Sequence, residues 1–70
     1  MADSAFKITK LVGESSEGIE QAVRVALETS AERVRGQTWC HVRDIRANID
    51  ESGSVDRWQV EVEVAFKVES

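Results

Sequence analysis

The alternation of apolar and polar residues near the end of the chain constrains the fold most. Between residues 57 and 68 nearly every second side chain is apolar and the intervening ones are mostly polar or charged. The apolar phase contains Trp58, Val60, Val62, Val64, Phe66 and Val68. The polar phase contains Arg57, Gln59, Glu61, Glu63 and Lys67. Because successive side chains of a strand point to opposite faces of a sheet, this run predicts a long strand with one face in the core.

The opening residues predict a shorter strand. Residues 5–12 alternate in polarity, with Phe6, Ile8 and Val12 in one phase. Glycine weakens a strand interior, so Gly13 is expected to end this strand.

A helix is predicted next. Ser15 and Ser16 are both candidate N-caps, and Gly36 is the expected stop, which gives a helix of about five turns. The apolar residues between them recur at helical spacing and predict one core-facing stripe. This stripe contains Ile19, Ala22, Val23, Ala26, Leu27, Ala31 and Val34.

The middle strand changes phase partway along its length. Cys40 and Val42 are apolar in one phase, whereas Ile45 and the later apolar residues occupy the opposite one. A bulge near residues 43–44 reconciles the two halves, because one extra residue switches which parity faces the core. With this bulge the outer face is predicted to carry Trp39, His41, Asp44, Arg46 and Asn48.

A cluster of turn-forming residues predicts a hairpin between the middle and last strands. If Asp50 pairs with Val55, then Arg46 lies opposite Gln59. Trp39 lies about 23 Å further along a straight strand, which is too far for one aromatic ring to reach all three side chains. Either the strand bends strongly, or Trp39 of one subunit meets Arg46 and Gln59 of another. We favour the second arrangement.

The element order of strand, helix, strand and strand predicts an α+β fold of β-α-β-β type, with residues 1–70 as a single domain. A chain of 70 residues buries only about 60% of its unfolded surface. Its one cysteine cannot form an internal disulfide, so oligomerisation is the expected source of further stability.

The charge and the single cysteine limit which kinds of binding partner and which cellular compartment are expected. Thirteen acidic residues against nine basic ones give a formal charge of −4, which argues against a nucleic-acid partner. The lack of a disulfide and of a secretory leader or long apolar run favours a cytoplasmic protein with no membrane partner.

The two tryptophans are predicted to lie in different environments. Trp58 continues the apolar phase of the last strand and is expected in the core, whereas Trp39 lies opposite the phase of Cys40 and is expected outside. An exposed indole implies a partner. From the residues alone another subunit comes first; a flat aromatic molecule is the alternative, with Arg46 for a phosphate and Gln59 for a heterocycle edge. Both can hold in one assembly.

No catalytic residue is predicted. Cys40 and His41 look like a nucleophile and its base, but adjacent strand residues point to opposite faces. Cys40 is therefore interpreted as a small buried hydrophobe, and His41 as a solvated or interface residue.

Glu61 and Glu63 share a face and form a candidate cation site, although a solvated surface is the preferred interpretation. The sequence leaves metal binding open.

Three segments are distinctive in their order and spacing: LVGESSEGIEQAV at the first turn, TWCHVRDIRANI in the middle strand and RWQVEVEVAFKV in the last. Together they resemble the dodecin family of small flavin-binding proteins. The resemblance implies a three-stranded antiparallel sheet wrapped around one helix, in a hollow homododecamer that binds flavins in pairs between tryptophans. Trp39 matches the stacking tryptophan, Gln59 the glutamine that hydrogen-bonds the isoalloxazine ring, and Arg46 a basic position near the flavin phosphate.

The same resemblance implies a protein that stores, buffers and photoprotects flavin, and not an enzyme. FMN, riboflavin or FAD is the implied cofactor, and coenzyme A is a further ligand of some relatives, with Lys67 as a candidate phosphate contact. Cys40 and His41 depart from the aromatic and acidic residues that relatives often carry there, which bears on the preferred flavin. The alternative is a structural or interaction module whose outer sheet face makes only subunit contacts, without flavin.

Overall fold

The computed structural model describes residues 3–68, in which three strands and one helix follow the predicted order. Strand β1 spans Ala5–Ser15, helix α1 Ile19–Ala31, strand β2 Gln37–Ile49 and strand β3 Val55–Val68. The strands form one antiparallel sheet in the order β1-β3-β2. The predicted α+β fold is confirmed.

The core lies between α1 and the apolar face of β3. Val60, Val62, Val64 and Phe66 are buried there against Ala22 and Ala26 of the helix. Partly buried residues complete this layer: Leu11, Val23, Leu27, Val34 and Cys40. The alternation in β3 therefore identified the inner face correctly.

Trp58 does not belong to this cluster, contrary to the prediction. It is half-buried on the helix side of the sheet, at the level where β1 ends. Its cross-strand neighbours are Ser15 and Ala47. These side chains are too small to cover an indole, so part of Trp58 stays at the surface.

The register of the hairpin agrees with the sequence analysis at the positions that matter for the site. Arg46 pairs with Gln59, as predicted, although the ladder closes with Ile49 opposite Val55 and not with Asp50. The predicted bulge is present, because the pairing shifts between Val42 and Asp44. Further shifts occur near each end of β2.

Strand β1 continues beyond Gly13 to Ser15, so the predicted strand end is wrong. Gly13 lies where β1 touches the helix: a Cβ atom there would be 1.9 Å from the carbonyl oxygen of Ala22 and 2.9 Å from the Cβ of Ala26. The glycine thus permits close helix–strand packing and does not terminate the strand.

The helix is shorter than predicted at both ends. It begins after Gly18, so neither Ser15 nor Ser16 is its N-cap. The Ser15 hydroxyl instead accepts a hydrogen bond from the backbone N–H of Glu17 at 2.9 Å, before the helix begins. It ends at Ala31 after 13 residues, or about three and a half turns. Val34 reaches the core from the connection that follows, and its helical spacing has a physical basis, because its backbone N–H still donates to the Ser30 carbonyl oxygen at 3.1 Å.

Candidate functional site

The outer face of the sheet, away from α1, carries an aromatic patch near one end. Phe6, Ile8, Trp39 and Ala65 form this patch, with Ala65 paired to both Ile8 and Trp39. Because alanine is small, the larger neighbours cover it completely, and its exposure is 0%. Trp39 and Phe6 themselves remain 49% and 43% exposed. Trp39 therefore lies on the outer face and is exposed, as predicted.

The contact between Phe6 and Trp39 leaves the indole accessible. Their ring centroids are 6.3 Å apart and the ring planes are tilted by 45°. This is within the range of favourable aromatic contacts but is not a stacked arrangement. Phe6 therefore supports the indole without lying parallel on its face, and Trp39 retains apolar surface on which a flat ring can pack.

A second group, the polar row, crosses the same face further along the sheet. Glu14 of β1, Gln59 of β3 and Arg46 of β2 are cross-strand neighbours. Gln59 Nε2 donates to Glu14 Oε2 at 2.8 Å. A guanidinium nitrogen of Arg46 donates to Asp44 Oδ2, also at 2.8 Å. The row thus combines an oriented amide with a guanidinium fixed in place by a carboxylate.

The carboxylate of the polar row is held from two sides. Besides Gln59, Arg57 Nε lies 2.9 Å from Glu14 Oε1. The hydrogen bond from Gln59 is the main cause that lowers the pKa of Glu14; desolvation opposes it, and the charge of Arg57 and its hydrogen bond lower the pKa further. Glu14 is therefore ionised at neutral pH.

One chain does not bring all the predicted site residues together. Arg46 and Gln59 are adjacent, but Trp39 pairs with Ala65, six residues along β3 from Gln59. Six strand residues span about 20 Å. A ring on Trp39 therefore cannot reach Gln59 of the same chain.

The helix side of β2 carries apolar side chains that α1 leaves uncovered, because the helix packs against β1 and β3. We call Val42, Ile45 and Ile49 the β2 strip; the last two are 46% and 65% exposed. A short open cleft of about 230 Å³ adjoins it where β2 begins. Its lining is Leu27, Gln37, Thr38, Trp39, Cys40 and Val64.

Cys40 and His41 do not form a reactive pair. Cys40 pairs with Val64 and packs against the core, whereas His41 pairs with Glu63 on the outer face. His41 Nδ1 is 3.9 Å from Glu63 Oε1, and Arg43 Nε lies at the same distance from that oxygen.

The acids on β3 have cationic neighbours. Glu61 is 3.7 Å from Lys10 Nζ, and Glu63 faces His41 and Arg43. Within residues 3–68, no group of three or more histidine, cysteine, aspartate or glutamate side chains is arranged to hold a metal ion. In the same range no helix has the length and apolar character needed to span a bilayer.

The sequence did not indicate two residues of the outer face: Glu14 in the polar row, and Phe6 as the neighbour of Trp39 in the aromatic patch. Glu14 follows once β1 is extended through Gly13, because it then shares the parity of Phe6 and Ile8. A strand that ended at Gly13 would not have included Glu14. The contact of Phe6 with Trp39 depends instead on the strand order β1-β3-β2, which the sequence did not indicate.

Comparison with known proteins identifies the family. The Dodecin family profile matches residues 5–69. Dodecin from Thermus thermophilus is 41% identical over 64 residues, which is 91% of each chain. The fold is similar to that of dodecin from Streptomyces coelicolor, with a TM-score of 0.91, 33% identity and coverage of 100% and 99% of the two chains. A protein structure from Thermus thermophilus gives a TM-score of 0.89 at 38% identity, with coverage of 97% and 98%. The chain therefore belongs to the dodecin family.

Proposed function

We propose that this chain binds a flavin, FMN or riboflavin, by stacking the isoalloxazine ring on Trp39. The observation that carries the proposal is the exposed indole of the aromatic patch, 49% exposed and only tilted against Phe6. A flat ring laid on it would bury apolar surface of both partners and gain dispersion contacts. Dodecin membership supports this choice of ring.

The site is completed by a second chain. Gln59 and Arg46 lie about 20 Å from Trp39 along the strand, so a flavin on Trp39 would meet the polar row of a neighbouring copy. The guanidinium of Arg46 suits a phosphate group, and the amide of Gln59 offers both a donor and an acceptor to the ring edge. The donor set therefore fits FMN, with riboflavin lacking only the phosphate contact.

A different surface, on the helix side of the sheet, supports assembly. The β2 strip exposes aliphatic side chains that α1 does not cover, and a domain of this size gains stability by burying them against other copies. A homododecamer is the assembly that we propose, as the family resemblance implies, with residues 1–70 acting as one dodecin-like domain in the cytoplasm.

The biological role that we propose is storage, buffering and photoprotection of flavin. When bound, the flavin supplies redox and light-absorbing chemistry, while the indole of Trp39 excludes water from one ring face and quenches the excited ring by contact. No catalysed reaction belongs to the proposal, because Cys40 and His41 point to opposite faces of the sheet.

Other ligands would use the same surface. Lys67 pairs with Phe6 on the outer face, so a phosphate carried by FAD or coenzyme A would find a cation beside the aromatic patch.

The second candidate function is a structural module without flavin. One observation favours it: Phe6 and Ile8 are exposed beside Trp39 and would suit a purely protein contact.

A substitution at Trp39 separates these two functions. Trp39→Ala should weaken flavin binding by about 10- to 100-fold, the range expected for the loss of one stacking contact. Trp58→Phe is the matched control, because it removes the other indole, on the helix side of the sheet. The measurement is quenching of riboflavin fluorescence, with light scattering to verify the assembly. Equal affinities for the wild-type protein and Trp39→Ala would refute the stacking site.

A further inference from the structure

Glu14 is the residue of the polar row that neither the sequence nor the family resemblance singled out. Both of its carboxylate oxygens are engaged, Oε2 by Gln59 Nε2 at 2.8 Å and Oε1 by Arg57 Nε at 2.9 Å. Its backbone follows Gly13, which is in close contact with the helix, and precedes the buried Ser15. The carboxylate is thus anchored through both its main chain and its side chain.

This contact decides which way the amide of Gln59 points. An ionised carboxylate can only accept hydrogen bonds, so it selects the Nε2 end of the amide. The reversed amide would place Oε1 against the carboxylate, with two acceptors facing each other and no hydrogen bond between them. Gln59 therefore directs Nε2 toward β1 and leaves Oε1, together with the second N–H, for a ligand.

Arg57 strengthens this selection. Its guanidinium holds the far oxygen of Glu14, so the near oxygen stays in position to accept from Gln59. Hydrogen bonds to a charged group are roughly twice as strong as those between neutral groups. The carboxylate thus favours one amide orientation over the other across the neutral pH range.

We propose that Glu14, held by Arg57, is a positioning residue that makes Gln59 present an acceptor and a donor side by side to an imide edge. The inference rests on the proposed flavin function. The pyrimidine part of a flavin offers the complementary edge, an N–H flanked by two carbonyl groups. A ring whose imide nitrogen carries a methyl group cannot donate to Oε1, so Glu14 helps the protein to reject it.

The binding test compares Glu14→Gln with Glu61→Gln. Glu14→Gln keeps the size of the side chain but lets the Gln59 amide face either way, whereas Glu61→Gln makes the same chemical change on the same face at a residue that contacts Lys10 instead. We expect Glu14→Gln to weaken riboflavin binding about fivefold, the difference between a charged and a neutral hydrogen bond. The preference for riboflavin over N3-methylriboflavin should fall by a similar factor, and Glu61→Gln should leave both values unchanged.

A ligand-free measurement isolates the positioning itself. The side-chain amide signals of Gln59 in nitrogen-15 NMR spectra, assigned by their loss in Gln59→Glu, should titrate with a midpoint below the ordinary glutamate pKa. They should show no such titration in Glu14→Gln. A pH-independent Gln59 signal in the wild-type protein would overturn the inference.

The outcomes separate this inference from the proposed function. Normal riboflavin binding by the wild-type protein, with Glu14→Gln behaving like Glu61→Gln, would overturn the role of Glu14 alone. Failure of the wild-type protein to bind riboflavin would overturn the flavin function and, with it, the role of Glu14 in ligand selection, whatever the amide signals show.

Discussion

The contact between β1 and α1 at Gly13 makes a specific prediction about stability. In Gly13→Ala the new Cβ would lie 1.9 Å from the Ala22 carbonyl oxygen, whereas a carbon–oxygen contact is about 3.3 Å, so the helix would have to retreat by roughly 1.4 Å. That retreat would loosen the packing of Ala22 and Ala26 against the sheet.

The loss in the free energy of unfolding caused by Gly13→Ala depends on which atoms must move to make room for the new Cβ. An extra methyl group in a packed core costs about 1–3 kcal/mol when side chains can adjust. Here the obstacle is helix backbone, so the upper end of that range applies. Reduced freedom of the unfolded chain offsets about 0.5–1 kcal/mol, which leaves a loss of about 2 kcal/mol or more. For a domain of this size, the melting temperature should fall by roughly 10 °C.

Urea unfolding followed by circular dichroism measures this loss, at one fixed protein concentration because assembly makes the midpoint concentration-dependent. Gly53→Ala is the matched control. Gly53 lies in the hairpin loop at φ 91° with nothing near the added Cβ, so it reports the cost of backbone strain alone, about 1 kcal/mol. A wild-type midpoint for Gly13→Ala, or a smaller loss than for Gly53→Ala, would refute the packing argument.

Three further predictions concern the phosphate, the hairpin and the assembly. Arg46→Ala should weaken FMN binding about tenfold and leave riboflavin binding unchanged in parallel titrations, because the guanidinium meets only the phosphate. The Ser52 hydroxyl and the Ser54 backbone N–H lower the pKa of Asp50, so its stabilising contribution is complete above the ordinary value of 3.8 and is lost as the pH falls through the lowered value. Asp50→Ala should therefore destabilise the protein in urea unfolding at pH 7, and this effect should shrink as the pH is lowered below 3.8. Ile45→Asp should reduce the particle mass measured by light scattering, because it places a charge in the β2 strip.

Each of these expectations has a contrary result. An equal loss for both flavins in Arg46→Ala would remove the phosphate role. A pH-independent effect of Asp50→Ala would show that the carboxylate charge does not act through the loop. An Ile45→Asp particle of wild-type mass would mean that the β2 strip is not a subunit contact.

The sequence was most informative where a local pattern and the tertiary structure depend on the same residues. The alternation in β3 identified its inner face because Val60, Val62 and Val64 all pack on the helix. The phase change in β2 predicted the bulge before Asp44, and the hairpin register placed Arg46 opposite Gln59. These patterns have a period of two residues, and burial on one face enforces them.

The remaining features depend on contacts between segments distant in the chain. Gly13 has the local character of a strand terminator, and only the approach of α1 explains why the strand continues. Val34 fits helical spacing, yet it reaches the core from the irregular segment after α1. Periodicity alone cannot distinguish a residue inside the helix from one just beyond its end. Glu14 and Gln59 are 45 residues apart, so their hydrogen bond becomes visible only when β1 is paired with β3.

The most direct test of the central claim is a titration of riboflavin fluorescence with purified, ligand-stripped protein, combined with light scattering on the same sample. We expect strong quenching that saturates near one flavin per chain, in a particle far larger than the 7.8 kDa chain. A well-folded oligomer that leaves riboflavin fluorescence unchanged would contradict the flavin-binding function, and Trp39 would then be a residue of the subunit interface.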